Sequence, residues 1–454
     1  MSRVRSSRAT LYDSEESESA LRAAFTGGAV PVAVYGLGKM GLPLASVYAD
    51  VTGNVTGVDI DTGTVARINA GACPVDGEPG LPELVAELVA DGALTATTDS
   101  ARAAAEAAVH VVIVPTLIDE GEPDLSALEA AIRAIGSGLD PGDLVVVEST
   151  VPPRTCRDRV VPWLEAESGH AVGEFGVAFC PERTMSGRAL ADIRGTHPKV
   201  VGGVDEPSRD AATLVYRTIT DAGVIPVADA TTAECVKVFE GVYRDVNIAL
   251  ANELARMADE LGVDVTAAIE TANTQPYCDI HSPGPGVGGH CIPYYPHFLI
   301  EEFGTPNPLL ETARAVNDSM PSFTVGKLAD ELDAAGESLA DSTVVVLGLT
   351  YRAGVDETRA SPGIAIASVL ADRAETVYAA DPVCSSPPPD GVQRVSVDEV
   401  SDLDLDAAVL ATAHEEFTSF SENAFEDVTV VDGHRALDAP DTAQSVYAIG
   451  DGSN

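Results

Sequence analysis

The sequence predicts an α/β protein in which two doubly wound parallel-sheet domains are joined by a long central helix. Three observations predict it. Short apolar runs alternate with helical stretches from Pro31 to Asp229, the rhythm of a parallel sheet with crossover helices. The same rhythm returns after Ser342. Between them lies an almost unbroken helical pattern from about Thr232 to Leu261, which at about 1.5 Å per residue spans roughly 45 Å. The 454 residues allow about three domains at ~150 residues each. The expected division is a polar N-terminal extension at 1–28, a first α/β domain at 29–229, a central helical segment at 230–325 and a second α/β domain at 326–454.

Composition excludes several classes of function. Apolar content is 45%, enough to bury real cores. No apolar run approaches the ~18 residues of a membrane span, and the start lacks a signal-like apolar stretch. Seven cysteines are scattered without a CxxC pair. That argues against a disulfide framework and a cysteine metal site, and for a reducing cytoplasm. With 27 basic against 71 acidic residues the net charge is −44, which disfavours nucleic acid and anionic membranes as partners. The acidity is spread over the whole chain, and lysine occurs only at 39, 199, 237 and 327. This is the composition of a cytoplasmic protein from a high-salt organism, of haloarchaeal type, where ions screen the repulsion.

In chain order, residues 1–28 read as a disordered start followed by a surface helix from about Ser14 to Phe25. Val32–Tyr35 is a short buried strand, and Gly36-x-Gly38-x-x-Gly41 then opens an apolar helix. These glycines permit the tight turn, close approach to a pyrophosphate and close helix–strand packing, with the helix N-terminus facing the phosphates. The next strand ends at Asp59, 23 residues after Gly36. A carboxylate there accepts from a ribose 2′-OH and repels a 2′-phosphate, so the fingerprint predicts a Rossmann-like domain that takes NAD in preference to NADP. Further strands run over 110–116, 143–153 and 176–187. Their ends place Thr116, Glu148, Thr150, Glu182 and Arg183 at the carboxyl edge of the sheet, where ligands of such sheets lie. Strands over 199–203 and 224–229 close the domain.

Thr231 and Glu234 form a capping-box pattern at the start of the central helix, and Gly262 supplies its stop. Lys237, Gly241 and Arg244 are spaced i, i+4, i+7 and share one face. A mid-helix glycine costs roughly 1 kcal/mol relative to alanine, so Gly241 marks a place where something approaches the backbone. Helix resumes over 311–321. Between the two lies GPGVGGHCIPYYPH, Gly284 to His297. It is a loop too rich in glycine and proline for a helix or strand and too apolar for a linker. It carries Cys291, which the loop alone leaves open between a nucleophile and an inert buried thiol. The second α/β domain lacks GxGxxG. It has instead Arg352, Asp356 and Arg359 after its first strand, which suits a phosphate-bearing ligand held by side chains.

The ordered series GLGKMGLP, VDID, ESTVPP, CPERTMSGRAL, YRDVNIALANEL, GPGVGGHCIP, VNDSMP, GLTYRAGVDETRASP and ATAHEEF resembles the nucleotide-sugar 6-dehydrogenases, the UDP-glucose/GDP-mannose dehydrogenase family. Within that family it is most similar to the UDP-N-acetyl-D-mannosamine branch, since PERTMSG stands where UDP-glucose dehydrogenases read PEFLREG. The resemblance runs from about Pro31 to Gly450. It implies two Rossmann-type domains, one for NAD and one for a UDP-sugar, and a homodimer formed through the central helix. The implied reaction takes a sugar CH2OH to COOH in two NAD-dependent steps, with no metal. Residue by residue it implies Cys291 as the thiolate, Lys237 as the group assisting proton removal and Glu182 as the group positioning water or the thioester. Gly36, Gly38, Met40, Gly41, Asp59, Thr116, Thr150 and Arg359 fall to the cofactor. Arg183, Thr184, Arg244, Gly286, Tyr351 and Arg352 fall to the substrate.

The chain departs from the family at two places. Gly241 stands where many relatives carry Asn, and Tyr295 where many carry Asp. Either the Tyr295 hydroxyl takes over the oxyanion role or Lys237 acts alone. QPYC at 275–278 also stands where many relatives read HPRV. Three other functions stay open on sequence: a UDP-glucose 6-dehydrogenase, a single-step hydroxy acid dehydrogenase with Cys291 structural, and a non-catalytic NAD or UDP-sugar binding protein.

Overall fold

A computed structural model describes residues 8–119, 121–185, 187–419, 425–437 and 443–452. The chain divides into two compact units. The first comprises Met1–Phe239 with His297–Glu302, the second Glu240–Pro296 with Phe303–Asn454.

The first unit is built on an eight-stranded sheet. Its order is Val224–Pro226, Lys199–Gly203, Gly176–Phe179, Leu144–Val147, Val109–Val112, Val32–Tyr35, Val55–Val58 and Leu94–Thr97. The inner strands Val32–Tyr35, Val109–Val112, Leu144–Val147 and Gly176–Phe179 are buried at every position. Helices cover both sheet faces, which is why these strands read as continuous apolar runs and not as alternating ones. Pairing is parallel except between Gly176–Phe179 and Lys199–Gly203, which run antiparallel with Ala178 opposite Gly203. The strands end sooner than the sequence runs suggest, at Val112, Val147 and Phe179. The polar residues beyond them are loops at the carboxyl edge. Leu94–Thr97 and the small hairpin Leu117–Asp119/Glu122–Asp124 lie outside the expected set.

The expected disordered start falls in part on residues 1–7, outside the described residues. From Arg8 onward the segment is docked. The Arg8 guanidinium holds the buried Asp143 carboxylate at 2.6 Å, Tyr12 donates to Asp205 at 2.8 Å, and Phe25 is fully buried. The helix runs Glu18–Thr26 with Ser17 as its N-cap, several residues later than the expected start at Ser14.

The long helix spans Ala230–Arg256, and the unit division falls between Phe239 and Glu240. A break at Met257 separates it from the short helix Ala258–Leu261, which Gly262 terminates in a left-handed conformation. The expected capping box is not formed. Asp229 caps the helix by accepting from the Thr232 N–H at 2.7 Å. Glu234 is fully buried and accepts instead from the backbone N–H groups of Arg154 (2.5 Å) and Cys156 (2.8 Å). Burial pushes its carboxyl up to about 7 against the pull of those donors. A glutamate near a helix start thus satisfies backbone of another segment, which spacing cannot reveal.

The second unit holds a six-stranded, all-parallel sheet in the order Val392–Val395, Thr376–Ala380, Thr343–Leu347, Ala407–Leu410, Thr429–Asp432 and Ser445–Ala448. It repeats the 3-2-1-4-5-6 order that the parallel strands of the first unit follow from Leu94–Thr97 through Gly176–Phe179. The helix expected over 311–321 is longer, Pro308–Ala335, and continues through Pro321. Asn252, Asn317, Asp245 and Arg314 form a buried polar ladder between this helix and the long one. Asn252 Nδ2 donates to Asn317 Oδ1 at 2.9 Å, and Asn317 Nδ2 donates to Asp245 Oδ1 at 2.9 Å. Arg314 pairs with Asp245 and Asp318.

Candidate active site

In the first unit the fingerprint turn is sterically committed. Gly36 has φ +95°, and a Cβ there would lie 2.4 Å from the Ile113 carbonyl oxygen. A Cβ on Gly41 would lie 1.9 Å from the Gly36 oxygen, whereas at Gly38 nothing lies within 4 Å. The first and third glycines close the turn, and the second leaves open space over the start of the helix Gly41–Thr52, as a pyrophosphate requires. Asp59 sits at the end of the second strand. Its Oδ2 accepts from Leu37 N–H at 2.8 Å and its Oδ1 from Asp61 N–H at 2.9 Å, so both oxygens are oriented and each keeps a lone pair for a ribose hydroxyl. Thr116 donates to the Thr150 carbonyl at 2.6 Å, tying together the two strand ends expected beside the cofactor. The residues present therefore fit NAD.

The loop after Phe179 brings further expected residues together. Lys237 is buried, and its ammonium donates to the Glu182 carbonyl. The Glu182 carboxylate accepts from the Thr184 N–H. The Thr184 hydroxyl reaches the Met40 sulfur at 3.1 Å, and Arg183 donates to the Pro198 carbonyl at 3.2 Å. Glu148 does not behave as its strand-end position suggests. It is buried, and its carboxylate is gripped by Lys199 at 2.5 Å and by the Tyr216 hydroxyl. Desolvation raises its pKa, with Lys199 opposing. A cavity of about 30 Å3 borders Glu148, Lys199, Glu182 and Thr184, large enough for a water molecule.

In the second unit the same turn logic recurs without the fingerprint. Gly348 ends the first strand with φ +96°, and a Cβ on Gly363 would lie 2.0 Å from the Gly348 oxygen, as Gly41 does to Gly36. Asp381, after the second strand, accepts from Leu349 and Thr350 N–H at 2.8 and 2.9 Å, as Asp59 does from Leu37. Burial opposes its ionisation, but the bonds from His414, Thr350, Val383 and Leu349 hold it far below the usual carboxylate range. Here the two glycines are separated by the loop that carries Tyr351, Arg352 and Arg359. Arg352 is exposed, and Arg359 is half-buried.

That loop grips the cysteine segment. Gly289 has φ +93° and donates to the Arg359 carbonyl at 2.9 Å. The Tyr351 side chain lies on Gly288 and Gly289, where an added Cβ would come within 2.7 Å of its Cβ at Gly288 and 2.9 Å of its ring at Gly289, and Pro362 covers Gly286. Gly284 N–H donates to Asn252 Oδ1 at 2.9 Å, so the buried polar ladder anchors the start of the loop. Cys291 itself is exposed. Its carbonyl accepts from Tyr294 and Tyr295 N–H at 3.1 and 3.0 Å. Tyr295 is buried, and a Cβ on Gly241 would lie 2.0 Å from its Cδ2. The glycine of the long helix is thus the floor beneath a tyrosine ring. Arg244, one turn on, is exposed. Gly241, Arg244, Gly286, Cys291, Tyr295, Tyr351, Arg352 and Arg359 all belong to the second unit, and the remaining candidate residues to the first.

An NAD-type domain carried in one chain with a second nucleotide-type domain defines the class, a nicotinamide-dependent dehydrogenase. The chain belongs to the UDP-glucose/GDP-mannose dehydrogenase family: its NAD binding domain matches residues 30–220, its central domain 231–319 and its UDP binding domain 345–439. A UDP-N-acetyl-D-mannosamine dehydrogenase of Pyrococcus horikoshii is 36% identical over 93% of this chain and 99% of its own length. An NDP-N-acetyl-D-galactosaminuronic acid dehydrogenase of Ralstonia nicotianae is 36% identical over 88% and 95%. The solved structure of the Pyrococcus horikoshii UDP-D-ManNAc dehydrogenase superposes with a TM-score of 0.85 at 35% identity, covering 93% of this chain and 100% of that one. A UDP-glucose dehydrogenase structure from Pyrobaculum islandicum gives 0.83 at 28%, covering 93% and 98%. The chain is an NAD-dependent oxidoreductase of UDP-sugars.

Sequence reasoning missed Lys199, Tyr216, Asn252, Asn317 and Asp381. Only the recurrence of strand, turn glycine and strand-end acid in the second α/β segment could have pointed to Asp381.

Proposed function

We propose that the enzyme oxidises C6 of UDP-N-acetyl-D-mannosamine to the carboxylate in two NAD-dependent steps, with Cys291 carrying the intermediate. The observation that carries this reading is an exposed thiol on a loop whose flanks are packed down by Tyr351 and Tyr295, in a unit that contains a UDP binding domain. NAD supplies the hydride acceptor for both oxidations. Lys237 assists removal of the C6 hydroxyl proton, and loss of the proton and a hydride leaves the aldehyde. The Cys291 thiolate adds its electron pair to the aldehyde carbon, and the resulting oxyanion takes a proton to give a thiohemiacetal. Loss of a second hydride and that proton gives a thioester. Water positioned by Glu182 adds to it, and the C–S bond breaks to return the thiolate. The sum is one alcohol, two NAD and one water giving one carboxylate, two NADH and three protons.

Gly36, Gly38, Met40, Gly41, Asp59, Thr116, Thr150 and Arg359 hold the cofactor in this reading. Arg183, Thr184, Arg244, Gly286, Tyr351 and Arg352 hold the substrate. The domain division at 29–229, 230–325 and 326–454 follows the same roles. The enzyme works in the cytoplasm of a high-salt cell as a homodimer through the long helix. The dimer is supported by the apolar side chains that the helix and its continuation expose in the second unit. Tyr243, Leu250, Met257 and Leu261 are 51%, 48%, 40% and 59% exposed at helical spacing, a row that water does not favour.

The test is stoichiometry. In molar KCl, UDP-N-acetyl-D-mannosamine should yield two NADH per sugar, ahead of UDP-N-acetylglucosamine, UDP-glucose and GDP-mannose. Cys291→Ala should stop carboxylate formation while UDP still binds. One NADH with free aldehyde released would sink the covalent route, and faster turnover of UDP-glucose would reassign the sugar.

A further inference from the structure

The Tyr295–Gly241 contact has no counterpart in the roles assigned above. Tyr295 follows Cys291 by one turn, and its own N–H is bound to the Cys291 carbonyl at 3.0 Å. Its ring lies against the long helix so closely that a methyl at 241 would stand 2.0 Å from Cδ2, 2.9 Å from Cγ and 3.0 Å from Cβ. Contacts below 3 Å are repulsive, so any side chain at 241 forces the ring away. The ring and the glycine are therefore one fitted unit, 54 positions apart in the chain. On the other side of Cys291 the loop is fixed by Tyr351 on Gly288 and Gly289. Along the chain, Cys291 thus lies between Gly288–Gly289, packed under Tyr351, and Tyr295, packed on Gly241.

We propose that the Tyr295 ring, seated on Gly241, is a positioning lock for Cys291 that acts through the shape of the ring. This rests on Cys291 being the nucleophile. The ring fixes the turn whose first carbonyl belongs to Cys291, and through it the direction in which the thiol leaves the loop. A displacement of about 1 Å at a reacting atom costs on the order of 100-fold in rate. A methyl at 241 demands at least that much movement of the ring.

The experiment compares Tyr295→Phe, Tyr295→Leu, Gly241→Ala and the double variant Gly241→Ala/Tyr295→Leu. Three readouts are taken in molar KCl: kcat, KM for the UDP-sugar, and the rate at which iodoacetamide alkylates Cys291, followed by mass spectrometry. Tyr295→Leu and Gly241→Ala should each lower kcat about 30- to 100-fold with KM changed less than about threefold, and should change the alkylation rate at least about fivefold. Tyr295→Phe should restore what Tyr295→Leu loses. The double variant should be no worse than the worse single one, because both changes break the same contact. A Tyr295→Phe loss equal to that of Tyr295→Leu would make the hydroxyl the working group and overturn the proposal. So would multiplying losses in the double variant, or an unchanged alkylation rate in Tyr295→Leu. If Gly241→Ala does not fold, the Leu–Phe comparison at 295 decides alone. Should Cys291→Ala retain full turnover, the nucleophile reading fails by itself. The alkylation readout would still report whether the ring sets the thiol's position.

Discussion

Replacing Lys199 with methionine should destabilise the first unit in a way that depends on pH with a calculable slope. Glu148 is 1% exposed and Lys199 15%, and their charged atoms are 2.5 Å apart. Methionine keeps most of the stem that packs over the Tyr216 ring, which the ammonium approaches at 4.7 Å. It leaves one buried carboxylate with, among the described residues, the Tyr216 hydroxyl as its side-chain partner. Removing one member of a buried pair costs about 3–5 kcal/mol. The protein can also escape by protonating Glu148. From the ordinary value of 4.5, holding that proton at pH 7 costs about 1.36 × 2.5, or roughly 3.4 kcal/mol. That figure is the ceiling on the electrostatic penalty at pH 7, and at pH 5 the ceiling is only about 0.7 kcal/mol. The sign follows from the direction of the shift. Desolvation already raises the folded pKa of Glu148, with Lys199 holding it down, and losing Lys199 raises it further. A raised carboxyl contributes its full share of stability below the unfolded value and loses it as pH rises through the folded one. Relative to wild type, the variant's deficit should therefore grow by up to about 1.4 kcal/mol per pH unit once pH passes the wild type's own raised pKa, and level off once the variant's is passed. The single tryptophan, Trp163, lies in the first unit against its core. Urea unfolding followed by its fluorescence at pH 5, 6, 7 and 8 reads the deficit directly. Adding Glu148→Gln should return most of it. A deficit that is flat with pH, or absent at pH 7, would refute the reasoning.

Two further outcomes follow. Leu250→Glu and Met257→Glu place a charge in the exposed apolar row of the long helix and its continuation. Sedimentation should show the wild-type dimer dissociating in both variants, and a wild-type monomer would remove the dimer reading. The charge of −44 should make the melting temperature rise steadily from low to multimolar KCl as repulsion is screened, and a flat profile would count against a high-salt origin.

What the sequence made legible was whatever is local. Gly36, Gly41 and Asp59 lie within one βα unit, and the turn geometry that needs them fixes their spacing. The same geometry in the second unit was illegible because Gly348 and Gly363 are fifteen positions apart instead of five, with a longer loop inserted between them. Glu148 was misread for a different reason. Being at a strand end says where a residue sits along the sheet but not whether its side chain meets ligand or core. The partner that decides the matter, Lys199, is 51 positions away. Glu234 failed likewise, since its acceptors' partners, Arg154 and Cys156, lie about 80 positions upstream. Gly241 was recognised as a place of close approach, but the approaching group, Tyr295, is brought there only by the fold.

The cysteine loop shows why such a glycine-rich segment need not be loose. Each ordered residue forfeits about 1–2 kcal/mol of backbone entropy, and glycine forfeits most. The loop recovers that cost from outside itself. Gly286 lies under Pro362, Gly288 and Gly289 under Tyr351, and Pro285 against Gly433, while Asn252 takes the Gly284 N–H. Glycine is what lets these groups come so close, and their closeness is what removes the freedom glycine would otherwise have. The stiffness around Cys291 is therefore stored in residues far from it in sequence, on the long helix, in the 349–361 loop and at the start of the helix Pro362–Ala371. It follows that enlarging Gly288 or trimming Tyr351 should disturb the thiol as surely as changes beside it. Substitutions at exposed Arg352 should leave the loop in place and act only on what the loop binds.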